Sequence, residues 1–214
     1  MVVMNPMDLS QNGYFSIKGL SNGKFISEQA ILEAGGRPVM ARTGHSFMKR
    51  VLASMPECKM AAEMSGHIFL ADRGWYGFDC SLYNAARLIE LWSRRAPAVD
   101  GGPSFSNELD RLAPPLPTTG EVKVPCEEDD KIRVVSAITE AFNDMEASTV
   151  DGVRVRFNDD DGEYVGWYLA RKSNTEPVLV MRMEALSEST LQTMMDVVNE
   201  RVSGIINIEK LLTA

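Results

Sequence analysis

Glu63-Met64-Ser65-Gly66-His67-Ile68-Phe69-Leu70, and the stretch Asp79-Cys80-Ser81-Leu82-Tyr83-Asn84-Ala85-Ala86-Arg87-Leu88-Ile89-Glu90-Leu91-Trp92 that comes after it, decide the fold class. The first reads as a strand. The second predicts a helix from Asp79 to Arg95, because Leu82, Ala85, Ala86, Ile89 and Trp92 recur at i, i+3, i+4, i+7 and i+10. Upstream, Ser27 to Ala34 predicts a short helix closed by Gly35-Gly36, Pro38 to Ala41 a short apolar strand, and Gly44 to Ser54 another helix. Strands alternating with helices predict an α/β layer.

From Arg94 to Pro117 the pattern breaks: Pro97, Gly101-Gly102, Pro103, Pro114-Pro115 and Pro117 lie in a stretch with little apolar periodicity. That is the grammar of a connection, and it divides the chain into domains at 1–117 and 118–214. Beyond it, Glu127 to Met145 predicts a helix from the spacing of Ile132, Val135, Ile138, Phe142 and Met145, with an acidic first turn that suits the helix dipole. Val150 to Phe157, Tyr164 to Ala170 and Val178 to Ala185 read as strands, the first two joined by the polar turn Asp159-Asp160-Asp161-Gly162. A last helix starts near Ser189 and ends at Gly204, with Leu191, Met194, Met195 and Val198 on one face. The expected architecture is therefore α/β plus α+β: a mixed α/β sandwich followed by a mainly antiparallel sheet covered by helices.

Composition narrows the function. With 214 residues and 44% apolar content, two small cores are within reach. Thirty acidic residues against 22 basic ones give a net charge of −8, so no broad positive field attracts nucleic acid. Cys58, Cys80 and Cys126 form no Cys-x-x-Cys pair, which argues for reduced thiols and against a zinc knuckle. No apolar run reaches about 18 residues, and Met1-Val2-Val3-Met4-Asn5-Pro6 lacks the basic start and long apolar core of a signal peptide. A cytoplasmic protein with no membrane partner is expected.

Three groups of residues carry chemistry. In a strand, Glu63, Ser65 and His67 would project from one face, a row of acceptors and donors suited to adjacent sugar hydroxyls; a solvated strand face would look the same. Arg171-Lys172-Ser173-Asn174-Thr175-Glu176-Pro177 lies between two strands and offers a guanidinium fork, hydroxyls and turn amides to an anion, although an ordinary polar turn has the same letters. Arg42-Thr43-Gly44-His45-Ser46 lies at a strand-to-helix junction, where helix amides attract an anion and His45 can handle a proton; a capped helix with an incidental histidine is the alternative.

Taken in order, these segments resemble a known family. Gly35-Gly36-Arg37-Pro38-Val39-Met40-Ala41-Arg42-Thr43-Gly44-His45-Ser46, then Glu63-Met64-Ser65-Gly66-His67, then Trp75-Tyr76-Gly77-Phe78-Asp79 opening a helix, are similar to the third domain of the α-D-phosphohexomutases. Val150-Asp151-Gly152-Val153-Arg154-Val155 and Trp167-Tyr168-Leu169-Ala170-Arg171-Lys172-Ser173-Asn174-Thr175-Glu176-Pro177 are similar to the fourth domain. The resemblance implies that Glu63 and Ser65 read sugar hydroxyls with His67 in support, and that His45 stands near the reacting end with Arg42 beside it. It also implies that Arg171, Ser173, Asn174 and Thr175 hold the phosphate that is not being transferred. Ile17-Lys18 corresponds to the end of a family strand that closes on a substrate-binding lysine, which makes Lys18 a candidate. The fourth domain's sheet resembles the TATA-binding saddle, but the acidic charge opposes nucleic acid, and fold does not settle function.

Two family loops do not occur in this sequence: the phosphoserine loop, of the form Ser-His-Asn-Pro, and the magnesium loop Asp-Gly-Asp-x-Asp-Arg. Asp159-Asp160-Asp161-Gly162 does not replace the latter, since its aspartates are contiguous and no arginine follows. The expectation is thus the C-terminal half of a phosphomannomutase/phosphoglucomutase that interconverts hexose 1- and 6-phosphates. Alone it is expected to be inactive and to carry no metal of its own, with magnesium and the nucleophile in an N-terminal half as partner. The competing reading is a stand-alone sugar-phosphate-binding or regulatory module.

Overall fold

The computed structural model describes residues 15–19, 31–32, 35–63, 66–95, 104, 106–107 and 116–206. The chain divides into two compact units, Met1–Pro115 and Leu116–Ala214. Of the helix expected over Ser27 to Ala34, residues 31 and 32 are helical and close on Gly35-Gly36, whose amides donate to Leu32 and Ile31; the rest lies outside the described residues.

The first unit is built on a sheet of β1 (Phe15–Gly19), β2 (Arg37–Ala41), β3 (Cys58–Ala62) and β4 (Ile68–Leu70). Their order is β2-β1-β3-β4. β1 runs parallel to both β2 and β3, and β4 is antiparallel to β3. Parallel strands need a crossover, and helix α1 (His45–Ser54) supplies it between β2 and β3. Met48 and Leu52, one turn apart on α1, are buried with Ala41, Cys58, Ala61 and Phe69, so the helix seals one face of the sheet.

Two expectations fail in this unit. Glu63 to Leu70 is not one strand: β3 ends at Ala62, β4 begins at Ile68, and Glu63 and His67 lie outside both. The Glu63 amide donates to the His67 carbonyl at 2.9 Å, and Gly66 takes φ of 92°, a conformation open to glycine. Glu63 and His67 therefore do not share one strand face but stand opposite each other where β3 closes onto β4, and Ser65 lies outside the described residues. Helix α2 (Ser81–Arg95) exists, but its buried face is not the apolar one. Leu82 is 81% exposed and Ile89 69%, while Arg87 is 5% and Leu91 7% exposed. The helix is seated by polar groups. Arg87 donates to Asp72 from Nε at 3.0 Å, Tyr83 donates to the other Asp72 oxygen at 2.7 Å, and Asn84 donates to the Ile68 carbonyl at 2.8 Å. Burying that arginine is tolerable because its charge is paired.

The second unit is a five-stranded sheet of β5 (Val122–Pro125), β6 (Ala147–Ser148), β7 (Val153–Asn158), β8 (Tyr164–Lys172) and β9 (Val178–Ala185). The order is β5-β9-β8-β7-β6 and every neighbouring pair is antiparallel. Helices α3 (Lys131–Ala141) and α4 (Glu188–Val202) cover one face. Val134, Ile138 and Phe142 meet Leu191, Met194, Met195, Val198 and Val202 above Val153, Val155, Tyr168, Ala170, Met181 and Met183. Each valine, leucine, isoleucine, phenylalanine or methionine among them, fully buried, contributes about 1.5–3 kcal/mol. Gly166 lies under α4, where a Cβ would sit 2.5 Å from the Met194 sulfur and 2.8 Å from the Glu184 carbonyl, so the sheet admits no larger residue there. The Asp159–Gly162 turn joins β7 to β8 as expected, with Asp159 Oδ1 accepting from the amides of Asp161 and Glu163. On α3 the register differs from the expected one. Ile132 is 67% exposed, Lys131 and Val134 are buried, and the acidic run Glu127–Asp130 forms the turn before the helix. Among the described residues no helix is long and apolar enough to cross a membrane.

Candidate functional site

In the first unit, chain direction and one carboxylate assemble the site. β2 ends at Ala41, and Arg42-Thr43-Gly44 leads into α1, whose first residue is His45. Glu63 Oε1 accepts the Gly44 amide at 2.6 Å, so a carboxylate only 8% exposed lies against the helix N-terminus, where the macrodipole favours negative charge. That bond ties the Glu63–His67 turn to the start of α1 and brings the two histidines together, rings 5.2 Å apart and edge to face. Phe69 packs under His45 with ring centroids 4.9 Å apart.

Asp79 is the residue between them, and sequence reasoning gave it no role. Its Oδ2 lies 2.7 Å from His67 Nδ1 and 3.3 Å from His45 Nε2, while Oδ1 accepts the Ile68 amide at 3.3 Å. An isolated β-bridge to Phe69 fixes its backbone. Burial pushes the Asp79 carboxyl upward, but the hydrogen bonds from His67, the Ile68 amide and His45 outweigh it and hold the group below the ordinary carboxylate range. A carboxylate can only accept, so each neutral ring donates to it: His67 carries its proton on Nδ1 and leaves Nε2 as a base, and His45 is the reverse. In the sequence Asp79 reads as the first residue of the helix to Arg95, which is why the pattern did not reveal it.

The remaining candidates of this unit divide. Arg42 lies over the Phe47 ring at 4.2 Å, beside the helix start. Lys18 falls in β1, between β2 and β3, with its side chain outside the described residues, and Ser65 lies outside them as well.

In the second unit Arg171 and Lys172 end β8, paired with Val180 and Leu179 of β9, and Ser173 to Pro177 form a braced turn between the two strands. Ser173 is buried, and its Oγ accepts the amides of Thr175 at 3.3 Å and Glu176 at 3.1 Å, so its hydroxyl shapes the loop from within. Asn174 and Thr175 are exposed at the tip. Arg171 makes one weak bond, from Nη1 to the Lys172 carbonyl at 3.3 Å, and its buried Nε has no partner among the described residues. Gly152 leans on this loop: with φ of 78°, a Cβ there would stand 2.3 Å from the Ala170 carbonyl and 2.7 Å from the Arg171 Cα.

Beneath the loop is a second residue the sequence did not mark. Lys131 is 1% exposed, and its Nζ donates to the Ser173 carbonyl at 3.1 Å and the Glu176 carbonyl at 2.6 Å. Glu128 pairs with it from the surface, and Lys123 pairs with Glu176. The ammonium draws loop carbonyls inward and places a positive charge under the turn, both of which favour an anion at the tip.

An α/β unit holding two imidazoles on one carboxylate, followed by an α+β unit with a basic, braced turn, defines the class of chain. Residues 22–101 match the phosphoglucomutase/phosphomannomutase alpha/beta/alpha domain III, and residues 121–201 match the phosphoglucomutase/phosphomannomutase C-terminal domain. The chain belongs to that family. It is 37% identical over 182 residues to a phosphomannomutase/phosphoglucomutase of Pseudomonas syringae pv. tomato, covering 84% of this chain and 34% of that protein. A phosphoglucomutase of Neisseria gonorrhoeae is 38% identical over 166 residues, covering 76% of this chain and 33% of that protein. The solved structure of a phosphoglucomutase/phosphomannomutase family protein from Burkholderia thailandensis superposes with a TM-score of 0.75 at 32% identity, over 94% of this chain and 40% of that one. The chain thus spans about a third of the length of the relatives it matches.

Proposed function

We propose that this chain is the C-terminal half of a phosphohexomutase that interconverts hexose 1-phosphate and hexose 6-phosphate, and that it contributes sugar and phosphate binding. The observation that carries this reading is the loop from Arg171 to Pro177, whose carbonyls are turned to Lys131 while Arg171, Asn174 and Thr175 remain for a phosphate. The Glu63 turn orients the sugar against the start of α1, and His67 Nε2 or His45 exchanges a proton at a sugar hydroxyl. A cytoplasmic location, which three free cysteines suit, is part of the reading.

Magnesium and the phosphorylated serine belong to an N-terminal half, present as a partner or in the same protein. The donors here do not fit a magnesium cage: Asp159 Oδ1 in the acidic turn is committed to two amides, and its neighbours are consecutive rather than converging. Without that half, phosphoryl transfer has neither nucleophile nor cation, so the isolated chain is expected to give no turnover. An assay with glucose 1-phosphate and glucose 1,6-bisphosphate checks it; glucose 6-phosphate formed in proportion to the chain refutes it.

Binding is expected nonetheless. A phosphomonoester on a guanidinium fork and turn amides should reach a Kd of about 1 mM, roughly −4 kcal/mol. In an amide chemical-shift titration, Arg171→Ala should remove the phosphate-induced shifts at Ser173 to Thr175, and Arg171→Lys should recover part of them, since a point charge lacks the fork. Shifts that survive Arg171→Ala would overturn the clamp and leave the loop an ordinary surface turn.

A further inference from the structure

The same imidazole–carboxylate cluster has a property outside phosphosugar chemistry. We propose that His45, His67 and Asp79 bind one zinc-class divalent cation, and that the bound cation switches off the two histidines as bases.

One ligand atom from each of the three residues lies within 4.8 Å of the others. Asp79 Oδ2 stands 2.7 Å from His67 Nδ1 and 3.3 Å from His45 Nε2. Zinc holds nitrogen and oxygen at about 2.0–2.2 Å, which puts neighbouring donors of a tetrahedron roughly 3.3 Å apart. The His45–Asp79 spacing matches that value, the His67–Asp79 spacing is shorter, the donors of the two histidines lie within 4.8 Å, and swings of two half-exposed rings complete the set. Two imidazoles and one carboxylate favour zinc, cobalt, nickel or copper over magnesium or calcium, which take all-oxygen shells. Three protein ligands leave a position for water or an anion, and the side chains are open to solvent at 42%, 47% and 21%.

The support around the ligands is in place. The Ile68 amide holds Asp79 Oδ1, the bridge to Phe69 fixes its backbone, and the Phe69 ring sets the plane of His45. Binding replaces two N–H···O contacts by two N–metal bonds and one O–metal bond. The ring protons move through solvent, from His67 Nδ1 to Nε2 and from His45 Nε2 to Nδ1, so neither ring releases a proton overall. Both histidines then present only N–H donors outward, and the basic lone pair is held by the metal. The site lies wholly in the first unit; cation binding there does not depend on the phosphohexomutase reading, and only the loss of the two bases rests on it.

The test uses the full chain, free of any histidine tag, titrated with Co2+ and then with Zn2+. Expected is a visible ligand-field band that saturates at one equivalent, with an apparent Kd of about 10 μM or tighter, and that Zn2+ bleaches. Millimolar Mg2+ should leave it unchanged. His45→Gln and His67→Gln, both at half-exposed positions, should each weaken Co2+ by at least about 100-fold while amide spectra remain those of the folded chain. Cys80→Ser should keep the band. No band up to 1 mM Co2+, a band that survives the double histidine substitution, or one lost with Cys80 would each overturn the proposal.

Discussion

Replacing Lys131 with methionine should abolish the phosphate-induced shifts at Ser173 to Thr175 and destabilise the chain by about 2–5 kcal/mol. Methionine keeps the length and apolar volume of the stem and removes all three donors. The carbonyls of Ser173 and Glu176, now bonded at 3.1 and 2.6 Å to a side chain that is 1% exposed, would be left without that donor. A polar group buried without a partner costs about 1–3 kcal/mol, and two are affected. The carbonyls would turn outward in search of water, toward the position proposed for phosphate, and the positive charge under the turn would be gone. Urea unfolding gives the stability, and the titration is run where the variant remains folded. If the wild type binds phosphate and the methionine variant binds it equally well, Lys131 is a core filler and not the brace of the loop. If neither binds, the phosphate reading itself fails.

Lys131 shows why part of the site was hidden. Its partners are backbone carbonyls 42 and 45 residues further along, and backbone carbonyls have no letter in a sequence. At the start of α3, after Glu127-Glu128-Asp129-Asp130, a lysine reads as a surface charge. Asp79 was concealed in the same way: the two histidines it joins lie 34 residues before it and 12 before it, and only the hairpin and the Glu63 cap bring them into reach. The turn Ser173 to Pro177 was legible because it lies between two strands that declare themselves, and turn residues between strands are exposed for a simple reason of topology.

The same contrast runs through the fold. β8 and β9 were readable since their β-branched and aromatic residues fill whole strands bounded by turns, and α4 was readable since Leu191, Met194, Met195 and Val198 form its buried face. β5 was missed: Val122-Lys123-Val124-Pro125 is four residues long, ends in proline and survives as an edge strand on β9. On α2 the apolar period was real but pointed away from the core. Tyr83, Arg87 and Leu91 face inward because Asp72 lies beneath, and a buried ion pair overrides a stripe of leucine, alanine and isoleucine.

Substituting asparagine for Asp79 should reverse the ring proton of His67 and, in the proposed mutase completed by an N-terminal half, lower turnover by about 10²–10⁴-fold. The reason is one of donors and acceptors. Asp79 accepts on both oxygens, the Ile68 amide on Oδ1 and the two imidazoles on Oδ2. Asparagine has one oxygen. Turned to the imidazoles, it sets its amide group against the Ile68 N–H; turned to Ile68, it makes both rings accept and moves the His67 proton to Nε2, where a base is needed. Ring nitrogen shifts of His67 in the isolated chain decide between these states without reference to activity. The pH dependence follows from the carboxyl being held below its ordinary range despite its burial. A depressed carboxylate stabilises the fold fully above the unfolded carboxylate value, and that contribution is lost as pH falls through the lowered one. The stability gap between wild type and variant, about 1–3 kcal/mol for charge-assisted bonds, should therefore shrink in strong acid, as pH falls through the lowered carboxylate value. Unfolding curves measured down that range check the sign. A gap that persists in strong acid, or His67 shifts unchanged by the substitution, would remove Asp79 from its place as the residue that positions both histidines.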